Sequence, residues 1–219
     1  MRRLVIATSA ALMSIGLLAG CSASVSVGDA SPSQAPASGG AVSLTKTLVN
    51  EQFGFSFGYS PPFEPQDDAT FDGGSGSEST ATSSVFDTEG SQIDGQYRDA
   101  FVVSVYELPQ PVTQEDLPAA KAEIENTLIP QLKQSTPGIE FSAVTETTLA
   151  GKPAFRTDVS FEVNKKPIKS TMYFIFDGST QYQVLVQAAD QNWEALQPTF
   201  DAMLASFTIS SSSASPSGT

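Results

Sequence analysis

The side chains that could carry out chemistry in this 219-residue chain are few in type. There is no histidine and only one cysteine, against 24 Asp+Glu and 11 Lys+Arg. Without histidine the chain has no Ser-His-Asp or Cys-His arrangement for nucleophilic catalysis and no histidine ligand for zinc. Carboxylates, lysines and tyrosines remain, and no GxSxG, Ser-x-x-Lys or phosphate-loop motif accompanies them. The sequence therefore predicts a protein that is not an enzyme, with no cofactor and no established metal site.

The single cysteine, Cys21, ends a segment typical of bacterial export signals. Two arginines precede an apolar stretch that is shorter than the roughly 20 residues needed to span a membrane. The sequence Leu18-Ala19-Gly20-Cys21 then matches a lipobox, in which the thiol accepts a diacylglycerol. We expect a signal peptide over residues 1–20, lipidation at Cys21 and a location at the cell membrane, on its extracytoplasmic face. The alternative is a plain secretory signal with a chance cysteine.

The net charge of −13 and the pI near 4.2 exclude one class of partner. Nucleic-acid binding requires clustered basic side chains against the phosphate backbone, so no nucleic-acid partner is predicted. An anionic membrane surface would repel so acidic a protein, and we expect the folded body to stand away from it.

The acidic segment 64–99 contains nine carboxylates and one base, Arg98. Within it, Asp68-x-Thr70-x-Asp72-Gly73 resembles the first half of an EF-hand loop, where oxygen ligands alternate before a glycine turn. The resemblance ends at position 12, which is Ser79 instead of the required glutamate. The segment is interpreted as a solvated acidic loop. The alternative is a weak cation site formed by Asp68, Asp72 and Glu78.

The elements that must position these groups are mostly strands. Near the start of the body, aromatic residues alternate with small ones, so that one face of the predicted strand is aromatic. This face is interpreted as ordinary core packing. The alternative is one wall of an apolar cavity that holds a lipid or another small hydrophobic ligand. The residues concerned are Phe53, Phe55, Phe57 and Tyr59.

The remaining pattern predicts further strands and two helices. The sequence Asp177-Gly178 indicates a hairpin turn in an antiparallel meander. A capping-box pattern at Thr113–Asp116 opens the first helix, and Pro130 should kink or end it near its last turn. Pro198 favours a loose turn over 191–197 and a helix from about 198 onward. The predicted strands beyond the first are 100–108, 141–148, 153–163, 168–176 and 180–188.

The basic cluster Lys165-Lys166-Pro167-Ile168-Lys169 falls in one of the predicted turns. It is interpreted as a solvated turn that blunts a sheet edge. The alternative is a contact for an acidic partner or for a phosphate-bearing polymer of the envelope.

Composition divides the chain into four parts. Residues 21–43, after the signal peptide, are the lipidated cysteine and a tether of small residues that cannot bury enough apolar area to fold. The folded body is predicted over 44–209. The serine-rich tail 210–219 is predicted to be disordered for the same reason as the tether.

Three stretches of the body resemble motifs of the PsbP-like (Mog/PsbP) superfamily, in particular its bacterial lipoproteins of the LpqN/DcrB type. They are the opening strand Asn50–Pro61, the turn Leu149–Ala154 (LAGKPA), and the ending from Tyr182 to Phe207. The resemblance implies an α+β fold with an antiparallel β-sheet flanked by helices, an α/β/α sandwich. It implies no catalytic residues. Proteins of this superfamily mostly act as accessory or binding subunits, and the resemblance implies such a role here.

The sequence thus predicts a non-catalytic, lipid-anchored envelope protein that binds a protein partner. Its contact with the membrane would be the lipid on Cys21. The alternative is a carrier that holds an envelope lipid or a similar hydrophobic ligand inside the sandwich.

Overall fold

The computed structural model describes residues 42–65 and 81–210, which fold mainly into antiparallel strands. The strands are β1 Lys46–Asn50, β2 Phe55–Tyr59, β3 Phe63–Pro65, β4 Ala81–Asp87, β5 Gln92–Ile93, β6 Gln96–Tyr97, β7 Ala100–Val112, β8 Glu140–Phe141, β9 Thr145–Leu149, β10 Lys152–Val163, β11 Lys166–Ala189 and β12 Thr208–Ile209. The helices are α1 Leu117–Glu123, α2 Ile129–Ser135 and α3 Asp190–Ser206. None of the described helices is long and apolar enough to cross a membrane.

The main sheet has the order β3-β4-β7-β11-β10-β8, and β9 also pairs with β10. A smaller sheet has the order β1-β2-β12, and the hairpin β5-β6 stands apart from both. Every pairing is antiparallel. The fold is therefore α+β, as the sequence pattern and the resemblance implied.

β11 is one extended run of 24 residues that folds back on itself at Gly178. Its first half pairs with β10 and its second half with β7. Ser170 and Gln187 would be about 55 Å apart along a straight strand. Their side chains are instead in hydrogen-bond contact, with 3.4 Å between Oγ and Oε1. The hairpin predicted at Asp177-Gly178 is confirmed, because Gly178 adopts the positive φ of +61° that the reversal requires.

Two apolar clusters fill the two sides of the main sheet. On one side, the apolar stripe of the helical segment 117–135 packs on β10, the first half of β11 and the end of β7. On the other side, α3 and the small sheet pack on β4, β7 and the second half of β11. The result is three layers, with the main sheet in the middle.

The first helical segment begins as the capping-box pattern predicted, with the Thr113 N–H donating to Asp116 Oδ2 at 3.0 Å. Pro130 does not end it, because the segment continues through α2 to Ser135. A π turn at Ile124–Leu128 directly precedes the proline. A wider turn there accommodates a residue that has no N–H to donate and whose ring crowds the preceding turn.

α3 is continuous from Asp190 to Ser206, so the prediction of a loose turn followed by a helix from about 198 is wrong. Pro198 lies inside the helix, and its ring is on the exposed side. Water can bond the carbonyl that the proline leaves unpaired there, and the packed side of the helix keeps its contacts.

The segment 64–99 is not one solvated acidic loop. It contributes β4, which lies inside the main sheet between β3 and β7. The apolar residues Val85 and Phe86 are both buried and give this strand its place in the core. Because the segment as a whole contains few apolar residues, the sequence pattern did not predict this short strand.

Candidate functional site

The aromatic strand lies in the core between the two sheets. Phe57 is fully buried and its ring centroid is 4.6 Å from that of Phe101. Phe55 lies 6.0 Å from Phe207 and 6.1 Å from Tyr182, and Tyr59 is also buried. These contacts are those of ordinary core packing between β2, β7, β11 and the end of α3.

Phe53 does not belong to this strand, contrary to the predicted alternation. It lies half-buried in the turn before β2, where Gly54 adopts a φ of +63°. Its carbonyl accepts a hydrogen bond from the Tyr182 hydroxyl at 2.8 Å. A glycine in a run of alternating residues is the signal that marks the break.

The predicted lipidation site and cation site lie outside the described residues. These positions are Cys21 and the three carboxylates Asp68, Asp72 and Glu78. Within residues 42–65 and 81–210, no group of three or more Asp, Glu or Cys side chains is arranged to hold a metal ion.

A buried carboxylate, Asp99, joins the start of β7 to the start of α3. It is 0% exposed. Its Oδ1 accepts the Ala189 N–H at 2.8 Å, and its Oδ2 accepts the Ser91 N–H at 2.8 Å and Asn192 Nδ2 at 2.7 Å. A carboxylate with this many donors, at the positive end of a helix, stabilises the helix start.

Asp87 lies beside it, with the backbone of Gly90 between the two carboxylates. Burial raises the pKa of Asp87 and the charge of Asp99 adds to the rise, while the Glu89 N–H, which donates to Oδ1, acts in the opposite direction. Close, buried carboxylates are also what an acid–base enzyme would need. Here the oxygens of Asp99 are occupied by protein donors, so the arrangement is suited to holding α3 in place.

Arg98, the base of the acidic segment, is 8% exposed. Its Nη2 donates to the Ile93 carbonyl at 3.3 Å, and its Nε has no partner. Burial lowers the pKa of its guanidinium, and Asp94 acts in the opposite direction. The carboxylate of Asp94 is itself bonded by Asn164 Nδ2.

A partly exposed polar arrangement lies on the side of the main sheet that α3 occupies. Among the side chains of β10, Ala154 belongs to the cluster beneath α3 and the small sheet, and Tyr173 of β11 packs partly against the same cluster. Beyond Ala154 the outward side chains of β10 and the first half of β11 form cross-strand pairs. We call these residues the open platform: Arg156 opposite Tyr173, Asp158 opposite Thr171, and Ser160 opposite Lys169.

The open platform is held by its own hydrogen bonds. Asp158 Oδ1 accepts from Arg156 Nη2 at 2.8 Å and from Thr171 Oγ1 at 2.7 Å. The side chains of Arg156 and Asp158 remain 43% and 52% exposed. Burial raises the pKa of Tyr173, which is half-buried, and Arg156 acts in the opposite direction. The arginine is therefore accessible and held by a hydrogen bond, and the tyrosine is partly accessible.

The sequence analysis missed the open platform as a candidate site. The sequence did contain a signal, because polar and buried apolar residues alternate along β10. The polar positions are Arg156, Asp158 and Ser160, and the buried ones include Phe155, Val159 and Phe161. Polar residues on the outward face of a strand are so common that this alternation alone does not distinguish a site.

The basic cluster lies at one end of this platform. Asn164 and Lys165 form the turn between β10 and β11, with φ values of +50° and +63°. Lys169 pairs with Asp190 at the start of α3, at 2.6 Å. Lys165 and Lys166 are exposed, in agreement with the interpretation of a solvated turn.

Comparisons with known proteins concern the fold. No family model matches the sequence, and no curated protein does. The solution structure of cyanobacterial PsbP (CyanoP) from Synechocystis aligns over 81% of this chain and 98% of that chain, with 14% identity and a TM-score of 0.53. A crystal structure from Bacteroides thetaiotaomicron aligns over 78% of this chain but half (50%) of that protein, with 8% identity and a TM-score of 0.51.

A third similar structure is LpqN of Mycobacterium tuberculosis, which is described as involved in cell envelope biogenesis. It aligns over 58% of this chain and 71% of that chain, with 17% identity and a TM-score of 0.45. The match to CyanoP extends over nearly that entire protein and includes the antiparallel sheet between helical layers. The chain therefore has the PsbP-like fold.

Proposed function

We propose that this protein is a non-catalytic, lipid-anchored accessory protein of the cell envelope, and that it binds a protein partner through the open platform. The observation that carries the proposal is the pair Arg156 and Tyr173, which lie opposite each other on the sheet and are each partly exposed. Arginine and tyrosine are enriched at protein interfaces and among the residues that contribute most to binding.

The preorganisation of the pair supports binding. Arg156 is held by Asp158, and Asp158 is held in turn by Thr171. Tyr173 is half-buried, so part of its side-chain entropy has already been lost in folding. A surface that loses little entropy on association keeps more of its contact energy as affinity.

The anchor rests on the lipobox motif that ends at Cys21, followed by residues 22–43 as the tether. A flexible chain of 22 residues has a root-mean-square length of about 25 Å. That distance lets the acidic body keep clear of an anionic bilayer and still reach a neighbouring envelope protein. A Cys21→Ser variant tests the anchor: we expect the mature protein to lose the acyl mass and to leave the membrane fraction.

The experiment on the platform starts in living cells of the host. A photoreactive phenylalanine analogue replaces Tyr173 in the full-length chain, and the matched control places it at Asn126, an exposed position on the opposite helical layer. We expect a discrete cross-linked product from position 173 only, which mass spectrometry would identify. Equal products from both positions, or none from position 173, would contradict the proposal.

The identified partner is then measured against the purified protein. Arg156→Ala should weaken binding about 30-fold, the effect of losing a central interface residue. Lys133→Ala, at an exposed position on α2, is the control and should leave the affinity unchanged. An unchanged affinity for the Arg156 variant would mean that the partner binds elsewhere.

A further inference from the structure

Exposed carboxylates border the open platform at the end where the hairpin of β10 and β11 turns. Glu162 lies on the same outward face of β10 as Asp158, because side chains an even number of positions apart along a strand share a face. Glu140 of β8 is opposite Ser160, and directly opposed residues also share a face. Both Glu140 and Glu162 are exposed. The cross-strand register therefore gathers acidic groups around this end of the platform.

α3 adds a further carboxylate beside Tyr173. Burial raises the pKa of Tyr173, Arg156 acts in the opposite direction, and the charges of Asp158 and Asp201 add to the rise. Asp201 belongs to α3 and is exposed. Its carboxylate is therefore near enough to act on the phenol of Tyr173 from the helix, while Asp158 acts on it from the sheet.

The basic side chains of the platform are already in ion pairs. Arg156 Nη2 is 2.8 Å from Asp158 Oδ1, and Lys169 Nζ is 2.6 Å from Asp190 Oδ1. Among residues 42–65 and 81–210, no ion pair includes any of the three other carboxylates, Glu140, Glu162 and Asp201. The platform therefore has an excess of exposed negative charge.

The two exposed lysines of the neighbouring turn do not cancel this charge. Lys166 is opposite Val163, whose side chain belongs to the cluster beneath the first helical segment. The lysine therefore lies on the other face of the hairpin. Lys165 is in the turn itself, beyond the last cross-strand pair. A single base at the end of the hairpin leaves the platform with a net negative charge.

We propose that the protein partner of the open platform presents a basic surface, whose lysine or arginine side chains pair with the free carboxylates of the platform. This inference rests on the proposed function, since it names the chemistry of the partner bound there. Complementary charges at the rim of an interface speed association, and charges of the wrong sign exclude other partners. The net charge of −13 acts in the same direction, because it attracts a basic protein and repels an acidic one.

The test uses the full-length protein in host cells, with the photoreactive analogue at position 173. Glu162→Lys in the same chain should lower the amount of the cross-linked product at least about fivefold, because it sets a like charge against the basic partner. Glu146→Lys is the matched control and should leave the product unchanged. It makes the same change of net charge on the same sheet, but Glu146 is opposite Phe155 and lies on the face toward the first helical segment.

Asp201→Asn provides a second variant if Glu162→Lys fails to fold, which its Tm would reveal. It removes one charge without changing the size of the side chain and should lower the product about twofold.

The outcomes separate this inference from the proposed function. A product from position 173 that Glu162→Lys leaves unchanged or increases would overturn the basic partner and keep the platform as a binding site. Equal losses in Glu162→Lys and Glu146→Lys would show an effect of net charge alone and would also overturn it. The absence of any product from position 173 would overturn the proposed function and, with it, this inference.

Discussion

Asp99 accepts a hydrogen bond from Asn192 in the first turn of α3, with 2.7 Å between Oδ2 and Nδ2. The same carboxylate accepts the backbone N–H of Ala189, the residue before the helix. One side chain at the start of β7 therefore fixes both the position and the direction of α3. This contact adds to the apolar packing of α3 on the main sheet, which Phe200, Met203 and Leu204 provide.

Asp99→Asn should destabilise the protein by about 2 kcal/mol. The neutral amide would weaken the three hydrogen bonds, and its NH2 group would face a group that is itself a donor. Chemical denaturation at neutral pH measures the change. Glu89→Gln, an exposed acidic position in the neighbouring loop, is the control and should change stability by less than about 0.5 kcal/mol. Equal effects of the two variants would mean that Asp99 does not hold the helix.

Ionisation of Asp87 should lower the free energy of unfolding as the pH rises. Its pKa is raised above the ordinary value of 3.8 in the folded state, so the folded protein binds more protons than the unfolded chain between the two values. Stability from this group is therefore full below the unfolded pKa and is lost as the pH rises through the folded pKa.

The free energy of unfolding is measured for the wild type and for Asp87→Asn from about pH 3 to about pH 8, a range that spans the ordinary carboxyl pKa. The variant should gain stability relative to the wild type as the pH rises, since its neutral amide carries no desolvated charge. A difference that stays constant over the range would show that burial of Asp87 does not perturb its titration.

Gly90→Ala should destabilise the protein by about 3 kcal/mol. A Cβ at this position would lie 2.5 Å from Asp99 Oδ2 and 2.9 Å from Asp87 Cγ, so the loop or both carboxylates would have to move. Glu89→Ala, at the adjacent exposed position, should cause little change. Differential scanning calorimetry of the two variants checks the prediction, and similar Tm values would contradict the close packing.

Pro198→Ala should stabilise the protein by about 1 to 2 kcal/mol, because the alanine restores a backbone donor inside α3 and has a much higher helix propensity. Gln197→Ala is the neighbouring exposed control. Urea unfolding gives both values. A loss of stability in the proline variant would indicate that the ring itself makes a needed contact.

The sequence predicted those parts of the fold in which apolar spacing is strong. The hairpin at Gly178 and the capped start at Thr113 both followed from local chemistry, a glycine turn and a reciprocal side-chain bond. The two prolines misled because their effect depends on where the ring points, and only the tertiary structure places Pro198 on the solvent side.

The candidate sites were harder to predict because they depend on pairing across strands. Arg156 and Tyr173 are 17 positions apart in sequence and meet only through the register of β10 with β11. A single sequence gives the face of each residue within its strand, and leaves the partners on adjacent strands open.

The pairing of β2 with β12 joins the two ends of the described chain, with Ser56 and Thr208 bonded by their hydroxyls at 2.9 Å. A polypeptide that is synthesised from its N-terminus cannot form this contact until its last strand has been made. Contacts so distant in sequence also form slowly, because a long loop must close first. Closure of the small sheet is therefore a late step of folding.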